Sequence, residues 1–353
     1  MASKYQQLAE ILRRDHVDGH CGEKLPTEQE LSARYQVSRQ TVRHALQLLA
    51  DERLIEKRQG SGSYAIGAAQ ATRHQITIIT SFFDEYIFPT ILHDAQSVFS
   101  QHGFSTSIYA TENQVSRERE ILQNLLANPV DGILVEGSKT ALPNPNSDLY
   151  QRLLRNNHPI VFLHAAYSNL PEVPCVSDDN YGGGYQLVSY LLERGHRQIA
   201  GIFKSDDLQG HERYHGCISA LRDRGAEIHD RRFWWYDTED RAEIVERQNP
   251  SLLRRFLSDR LNGATAVVCY NDEIAFYLIR ELTAMGRKVA DEVAVVSFDD
   301  SYYSQISPVH ITSLGHRPNR IGRVAAEHLL RLLHGGGGGS LALPWTLIQR
   351  ESG

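Results

Sequence analysis

Two sets of polar residues have the types and spacing that chemistry requires. The first is Ser38, Arg39, Gln40 and Thr41, followed by Arg43 and His44. Short polar and basic side chains on the opening turns of a helix are what a duplex reader needs. Arginine pairs two guanine acceptors, glutamine pairs adenine, and hydroxyls beside a helix N-terminus suit phosphate oxygens. The second set stands where apolar runs stop: Glu136 after GILV, His164 after PIVFL, Lys204 after IAGIF, Asn271 and Asp272 after AVVCY, Asp299 and Asp300 after VAVVSF. In an open α/β sheet the ligand crevice lies beyond the carboxyl ends of the strands. Carboxylates, an amide and cations gathered there suit a polyhydroxylated ligand, since each hydroxyl both donates and accepts. Phe82, Phe83, Tyr86 and Phe88, after an earlier run, could lay an aromatic face against the C–H surface of a sugar ring. Each member has a plainer reading: Asp and Asn at strand ends cap helices, and Phe or Tyr there is often core. The set, rather than any one residue, points to a site.

The elements that must position the first set are legible around it. Tyr5, Leu8, Ile11 and Leu12 repeat at helical spacing, and Gly19 and Gly22 close the pattern. After Pro26, Thr27 and Glu30 have capping-box spacing, which starts a second helix running to Tyr35. Only Gln36 and Val37 separate it from Ser38, a good N-cap, after which Val42, Leu46 and Leu49 share one face. Two helices so close form a helix-turn-helix. Leu54–Lys57 and Ser63–Ile66 read as a hairpin around glycines, a wing whose Arg58 suits phosphate and whose Gln59 and Gly60 could enter a minor groove. Lys4, which suits phosphate oxygens, and Tyr5 beside it are further candidates for DNA contact. Residues 67–74 are small and polar without period, and read as a linker.

From Gln75 onward, apolar runs alternate with segments long enough for crossover helices: QITIIT, STSIYAT, GILVEG, PIVFLHA, QIAGIFK, TAVVCYND and VAVVSFDD. Such alternation predicts parallel sheets covered on both faces. So many residues exceed one comfortable core, which favours two facing lobes. The run Gly335–Gly339 reads as an exposed loop before a last strand, 345–349. The expected fold class is therefore α/β, with an N-terminal winged helix-turn-helix (1–66), the linker, and a two-lobed sensor with parallel sheets (75–353).

Composition agrees. The chain has 353 residues, 41% hydrophobic and 23% charged, which excludes a disordered or fibrous protein. Net charge is −6, so nucleic-acid binding must come from a local patch. Four scattered cysteines, Cys21, Cys175, Cys217 and Cys269, suggest neither a zinc cluster nor a disulfide framework, and no metal is expected. No apolar segment of about 18 residues and no secretory h-region is seen, so the expectation is a cytoplasmic protein without membrane contact.

KYQQLAEILRRDH, KLPTEQELSARYQVSRQTVRHALQLLADERLI and KRQGSGSY resemble the GntR-type winged helix-turn-helix along its length. The resemblance implies a DNA face carrying Glu28, Arg39, Gln40, Thr41, Arg43, Gln59 and Gly60. Glu28 either orients an arginine, accepts from a cytosine amine, or caps its helix. DDNYGGGYQLVSYLLERGHRQIA, ERYHGCISALRDRG, CYNDEIAFYLIRELTAMGRKVADEVAVVSFDDS and ITSLGHRPNRIG resemble the LacI/GalR sensor domain, itself similar to periplasmic sugar-binding proteins. That family's sugar contacts fall on Arg213, Asn271, Asp299 and His316, and by position Glu136 and His164 match further contacts. LacI-type chains normally begin with their own helix-turn-helix and a hinge helix, whereas this chain carries the GntR-type domain and an unpatterned linker. The hybrid resembles L-arabinose-responsive repressors. The resemblance implies arabinose as effector, whereas the residues alone imply a small neutral sugar, so another pentose or hexose stays open.

An enzyme and a transport receptor are the rivals. No G-x-S-x-G, H-E-x-x-H or phosphate-loop motif occurs. Asp178/Asp179 and Asp299/Asp300 are adjacent, so in extended chain their side chains diverge and cannot form a glycosidase pair. Gly182–Gly184 is most economically explained by close helix packing. A receptor would need export, and a DNA-reading module stands where the signal would be. The expectation is a non-enzymatic repressor without cofactor. It meets a near-palindromic duplex as a homodimer, and sugar-driven lobe closure releases it from DNA. The resemblance favours the sugar-free form as the one that binds DNA.

Overall fold

The computed structural model describes residues 4–17, 23–51, 54–58, 61–65, 74–316 and 321–353. The chain divides into two compact units, Met1–His74 and Gln75–Gly353.

In the first unit, α1 (Lys4–His16), α2 (Glu28–Tyr35) and α3 (Arg39–Asp51) surround a core of Leu8, Leu12, Leu31, Val42, Leu46 and Leu49. The capping box forms as its spacing implies. Thr27 Oγ1 accepts the Glu30 N–H, and Glu30 reaches back to the Thr27 N–H at 2.7 Å. Thr27 is thus the cap rather than the first helical residue. Gln36 turns the chain with φ 50°, and the Thr41 N–H donates to Ser38 Oγ at 3.1 Å, starting α3. The wing is an antiparallel pair, β1 (Ile55–Arg58) and β2 (Gly62–Ala65), in register Ile55 to Ala65 and Arg58 to Gly62. Both strands sit one residue from their expected bounds. Gly62 adopts φ 115°, which a side chain would resist and which lets the hairpin close.

The second unit contains two six-stranded sheets. The first lobe's sheet is built from β3 (Gln75–Thr80), β4 (Ser105–Ala110), β5 (Gly132–Val135), β6 (Ile160–Leu163) and β7 (Cys175–Asp178). Helices α4 (Phe88–Gln101), α5 (Val115–Ala127) and α6 (Ser147–Arg155) intervene in sequence. The chain then crosses into the second lobe through α7 (Asn180–Glu193). That lobe's parallel strands are β8 (Ile199–Lys204), β9 (Phe233–Tyr236), β10 (Ala266–Cys269), β11 (Ala294–Phe298) and β12 (Thr312–Gly315). Its remaining helices are α8 (Leu208–Asp223), α9 (Thr238–Val245), α10 (Ser251–Asp259), α11 (Asp272–Ala284) and the short α12 (Tyr303–Ile306). The chain returns to the first lobe in α13 (Ile321–Leu333), whose Ala325 and Leu329 pack with Ile76 and Leu134. Strand β13 (Leu341–Leu343) pairs with β7 in the first lobe, and β14 (Thr346–Ile348) pairs antiparallel with β12 in the second. Three crossovers therefore join the lobes.

All seven apolar runs are strands. Four further strands, β7, β9, β12 and β13, were not expected, and β13 stands between the exposed glycine loop and the last strand. Each lobe is a sheet sandwiched between two apolar layers, as continuous Val/Ile runs require. The glycine run Gly182–Gly184 does pack closely. A Cβ on Gly184 would lie 2.1 Å from the Arg213 carbonyl oxygen, and one on Gly216 would lie 2.0 Å from that of Tyr181. Glycine on both helices lets α7 and α8 approach backbone to backbone, which fixes Arg213. Cys175, Cys217 and Cys269 are buried thiols. Among the described residues no helix is long and apolar enough to cross a membrane.

Candidate functional site

A cavity of about 600 Å³, counted out to its mouth, lies between the lobes of the second unit. Eight of the nine residues singled out for sugar contact line it: Tyr86, Phe88, Glu136, His164, Lys204, Arg213, Asn271 and Asp299. The strand-end rule accounts for most of them, because Glu136 follows β5, His164 follows β6, Lys204 ends β8, and Asp299 follows β11. Three adopt left-handed backbone that non-glycine residues seldom hold: Tyr86 (φ 53°), His164 (φ 67°) and Asp299 (φ 95°). Strain of this kind concentrates at functional sites, where surrounding contacts overdetermine it.

Among the described residues, every fixed cation in the wall already has a carboxylate. Arg213 is 1% exposed. It donates from Nε to Asn180 Oδ1 (2.9 Å), from Nη1 to the Tyr270 carbonyl (2.5 Å) and from Nη2 to Asp299 Oδ1 (3.3 Å). Its guanidinium also stacks on Phe298 at 4.3 Å. Lys204 Nζ donates to Asp207 Oδ2 (2.7 Å) and stands 3.1 Å from Asp206 Oδ1. Burial disfavours its charge, but the two carboxylates outweigh burial and keep it protonated. Arg241 Nε and Nη2 grip both oxygens of buried Glu273, at 2.7 and 2.9 Å.

The neutral and acidic groups are oriented as firmly. One Glu136 oxygen accepts from the Thr80 hydroxyl (2.9 Å) and the Ser81 N–H (2.7 Å), and burial raises this carboxyl above its ordinary range. Asn271 caps α11, accepting the Ile274 N–H at 3.0 Å, so the plain and the functional readings of that residue coexist. His164 is 5% exposed and neither ring nitrogen has a hydrogen-bond partner. Burial works against its charge, yet the Asp178 and Glu136 carboxylates hold its imidazole above the ordinary value. A buried imidazole that makes no hydrogen bond, with its Nδ1 3.6 Å from the Asp178 carboxylate, is an open donor for whatever enters the cavity.

Contacts cross from lobe to lobe at the cavity. The Tyr86 hydroxyl of the first lobe donates to Asp299 Oδ2 of the second at 2.6 Å, and the Asp272 N–H donates to the same hydroxyl at 3.3 Å. Arg241 Nη2 reaches Glu85 of the first lobe at 2.9 Å, with its guanidinium over Phe82 at 5.0 Å. Asn113 donates to Thr238 Oγ1 at 2.6 Å.

Three expectations need correction. His316 is absent from the cavity wall; its Nε2 lies 2.6 Å from Asp178 Oδ1 and its ring stacks on Trp345. Phe83 points away and is 55% exposed, whereas Phe82 and Phe88 line the cavity. Asp299 and Asp300 both have positive φ, so the chain there is not extended. Their side chains nonetheless part company, Asp299 to Arg213 and Asp300 to Arg350 at 2.6 Å. Asp207, Gln209, Tyr236, Arg241, Tyr270 and Glu273 also line the cavity and were not foreseen. Asp207 could have been found by reading three residues beyond the strand end. Arg241 had no signal, since it reaches the cavity from the body of α9. Among the described residues no cluster of His, Cys, Asp and Glu is arranged to hold a metal.

On the first unit, Ser38, Arg39, Gln40 and Arg43 are exposed on the opening turns of α3, with Thr41 partly covered. Lys4 is exposed and Tyr5 is half-buried, edge-on to His44 at 5.9 Å. Glu28 pairs with Arg43. Gln59, Gly60 and the side chain of Arg58 lie outside the described residues.

Helix-turn-helix with wing and a two-lobed clamp define a class, the ligand-responsive transcription regulators. Residues 4–64 match the bacterial regulatory proteins of the gntR family, and residues 188–353 match the periplasmic binding protein-like domain. An arabinose metabolism transcriptional repressor of Halalkalibacterium halodurans is 37% identical over 87% of this chain and 82% of its own length. One from Geobacillus stearothermophilus is 34% identical over 94% and 91%. The chain belongs to this family of repressors: it is a sugar-responsive, DNA-binding transcriptional repressor. Solved structures share its fold. A CelR–cellobiose complex superposes with TM-score 0.69 at 24% identity, covering 93% of this chain and all of that one. A lac repressor dimer bound to operator and an anti-inducer superposes with TM-score 0.67 at 21% identity, covering 80% and 95%.

Proposed function

We propose that L-arabinose is the effector, that it binds in the interlobe cavity, and that binding there releases a homodimer of this chain from its operator. The observation that carries the reading is the charge pairing of the wall. Lys204, Arg213 and Arg241 each already have a carboxylate partner, so among the described residues of the wall no fixed cation is left over for a phosphate or a sugar acid. What remains on offer is an array of oriented donors and acceptors, Glu136, His164, Asn271 and Asp299, beside Tyr86 and Phe88. Such an array suits a neutral polyol. The name carried by both relatives supplies the particular sugar.

In this reading residues 1–66 read DNA, 67–74 link, and 75–353 sense and dimerise. Arg39, Gln40, Thr41 and Arg43 meet base edges, while Lys4, Tyr5, Ser38 and the wing residues Arg58, Gln59 and Gly60 meet the backbone and minor groove. Glu28 acts through Arg43. No catalytic step, metal or cofactor is invoked.

A thermal-shift panel of pentoses, hexoses, their phosphates and their acids tests the effector. A ligand that binds only the folded state raises the melting point with concentration. L-arabinose is expected to do so, and the phosphates and acids to have no effect. Operator release is tested with a duplex selected from a random-sequence pool by the full-length protein. Its affinity at fixed salt should fall when L-arabinose is added. An unchanged affinity overturns the coupling, and a phosphate preferred over the free sugar overturns the reading of the wall.

A further inference from the structure

Sugar occupancy at His164 has to be converted into a change of lobe geometry, and one side-chain cluster joins the cavity wall to all three crossovers. Asp178 is the last residue of β7, where the chain leaves the first lobe. His316 follows β12, where the chain leaves the second. Trp345 lies between β13 and β14, on the third crossover. His164 Nδ1 stands 3.6 Å from Asp178 Oδ2, and His316 Nε2 stands 2.6 Å from Asp178 Oδ1. The His316 ring stacks on Trp345 with centroids 4.3 Å apart and planes at 19°.

The rest of the cluster is closely packed. Trp345 lies edge-on to Phe298 at 5.7 Å, and a Cβ on Gly183 would lie 2.7 Å from the indole. The first and third crossovers also touch through backbone, since the Asp179 N–H donates to the Leu343 carbonyl at 2.9 Å. Asp178 is 5% exposed, so its carboxylate has little water; it is hydrogen-bonded to His316 and lies within ion-pair range of His164. A carboxylate held between two imidazoles in this way cannot shift toward one without altering its hold on the other.

We propose that Asp178 and His316 are positioning residues that relay sugar contact at His164 to the three crossovers, and so couple the cavity to operator release. A hydroxyl that engages His164 alters its pull on Asp178. Asp178 in turn resets its bond to His316, and the stacked pair His316–Trp345 carries the change to the second and third crossovers. His316 thereby sets how strongly bound sugar weakens DNA binding, and contributes little to sugar affinity itself. The inference rests on the reading that L-arabinose releases the operator.

The test uses full-length wild type, His316→Phe and His316→Gln, with L-arabinose and the selected duplex. Sugar affinity is measured by calorimetry without DNA, and operator affinity with and without saturating sugar. His316→Phe keeps a planar ring on Trp345 but loses the bond to Asp178, whereas the amide of His316→Gln can still donate to it. For His316→Phe the sugar Kd is expected within about threefold of wild type, while the sugar-induced loss of operator affinity shrinks at least tenfold. His316→Gln is expected to retain most of the wild-type coupling. If His316→Phe does not fold, the near-isosteric Asp178→Asn takes its place with the same expected split. A variant that keeps full coupling overturns the relay. So does one that loses sugar affinity and coupling in proportion, since His316 would then act as a direct sugar contact. Equal loss in His316→Gln and His316→Phe also overturns it. If wild type itself shows no response to L-arabinose, the functional reading fails as well, and that arm alone distinguishes the two failures.

Discussion

Glu28, on the first turn of α2, holds the Arg43 guanidinium by two bonds, Nε to Oε1 at 3.2 Å and Nη2 to Oε2 at 2.9 Å. The pair crosses the turn of the helix-turn-helix and aims Arg43 along the exposed face of α3. The bond to Arg43 lowers the Glu28 pKa, so the pair persists at neutral pH. Both side chains are well exposed, and such pairs contribute only about 0–1 kcal/mol to stability. The value of the pair lies in preorganising the arginine.

Glu28→Gln is therefore expected to leave the melting point within a few degrees of wild type while changing how DNA is bound. Removing a negative charge from the face should tighten binding to a scrambled duplex, and the freed Arg43 should discriminate less well in favour of the selected one. Competition binding with both duplexes across a salt series measures the ratio, which should fall by about tenfold, in line with about 1–3 kcal/mol for a bidentate base contact. An unchanged ratio would mean that Arg43 is aimed by something else.

Arg43→Ala and Arg213→Ala separate the two units unequally. Arg43 is exposed, so its loss should remove selected-duplex binding and leave sugar binding intact. Arg213 is fully buried among Asn180, Tyr270 and Asp299, and its removal strands the Asp299 charge. Breaking a buried pair in this way costs about 3–5 kcal/mol. Arg213→Ala should thus abolish sugar binding and also lower the melting transition of the second unit. Glu136→Gln keeps the shape of the wall and is the cleaner probe, with sugar affinity expected to fall about tenfold at little cost in melting temperature. Calorimetry with L-arabinose and a melting curve on each variant check both.

Asp272 gives a pH prediction. It is fully buried, and burial pushes its carboxyl up to about 7, against hydroxyls of Ser297 and Ser313 and the Ser301 N–H that donate to it. The folded chain therefore keeps a proton that the unfolded chain, titrating near 4, has already lost. Stability must fall as pH rises from about 4 to 7, by about 4 kcal/mol from this group. Glu136 and Glu273, both raised by burial, act in the same direction. His164 adds a contribution that is complete below about 6.5 and is lost as pH rises through its higher folded value. Asp178, depressed by its imidazoles, contributes at all pH values above about 4 and so adds no slope near neutrality. The melting temperature should decline from pH 5 to pH 8, and less steeply in Asp272→Asn, whose amide can serve the same three partners. A flat wild-type profile would contradict the burial argument.

What could be read from the residues, and what could not, divides along physical lines. The capping box at Thr27 and Glu30, the Ser38 cap and the seven apolar strands are local facts, carried by periodicity and by short-range hydrogen bonding. Their strand ends then located Glu136, His164, Lys204 and Asp299, because topology fixes where a parallel sheet presents its ligand face. Strand β12, with the sequence TSLG, has too little apolar pattern to show itself, and β13 is an edge of three residues. His316 was placed by resemblance in the sugar site, yet its geometry depends on where Asp178 and Trp345 arrive from two other crossovers. That is a tertiary fact without local trace. Arg241 is the same kind of residue, held by Glu273 and Glu85 from α11 and the opposite lobe.

The last relationship makes a prediction about time rather than affinity. Arg241 is bound to Glu273 within its own lobe and to Glu85 across the cleft, and it covers Phe82. Glu85 is 38% exposed at the mouth, so its bond is the one that water can reach and that opening must break. Glu273 is buried and keeps Arg241 in place whether or not the mouth is open. Glu85→Ala removes only the contact across the cleft. Association requires an open mouth and should proceed at the wild-type rate, whereas escape from the closed form should quicken. A half-exposed charge pair of this kind is worth about 1 kcal/mol, which corresponds to an off-rate about fivefold faster. Stopped-flow binding of L-arabinose, followed by intrinsic tryptophan fluorescence, separates the two rate constants. A fall in the association rate with an unchanged off-rate would assign Glu85 to steering the sugar in rather than to holding it.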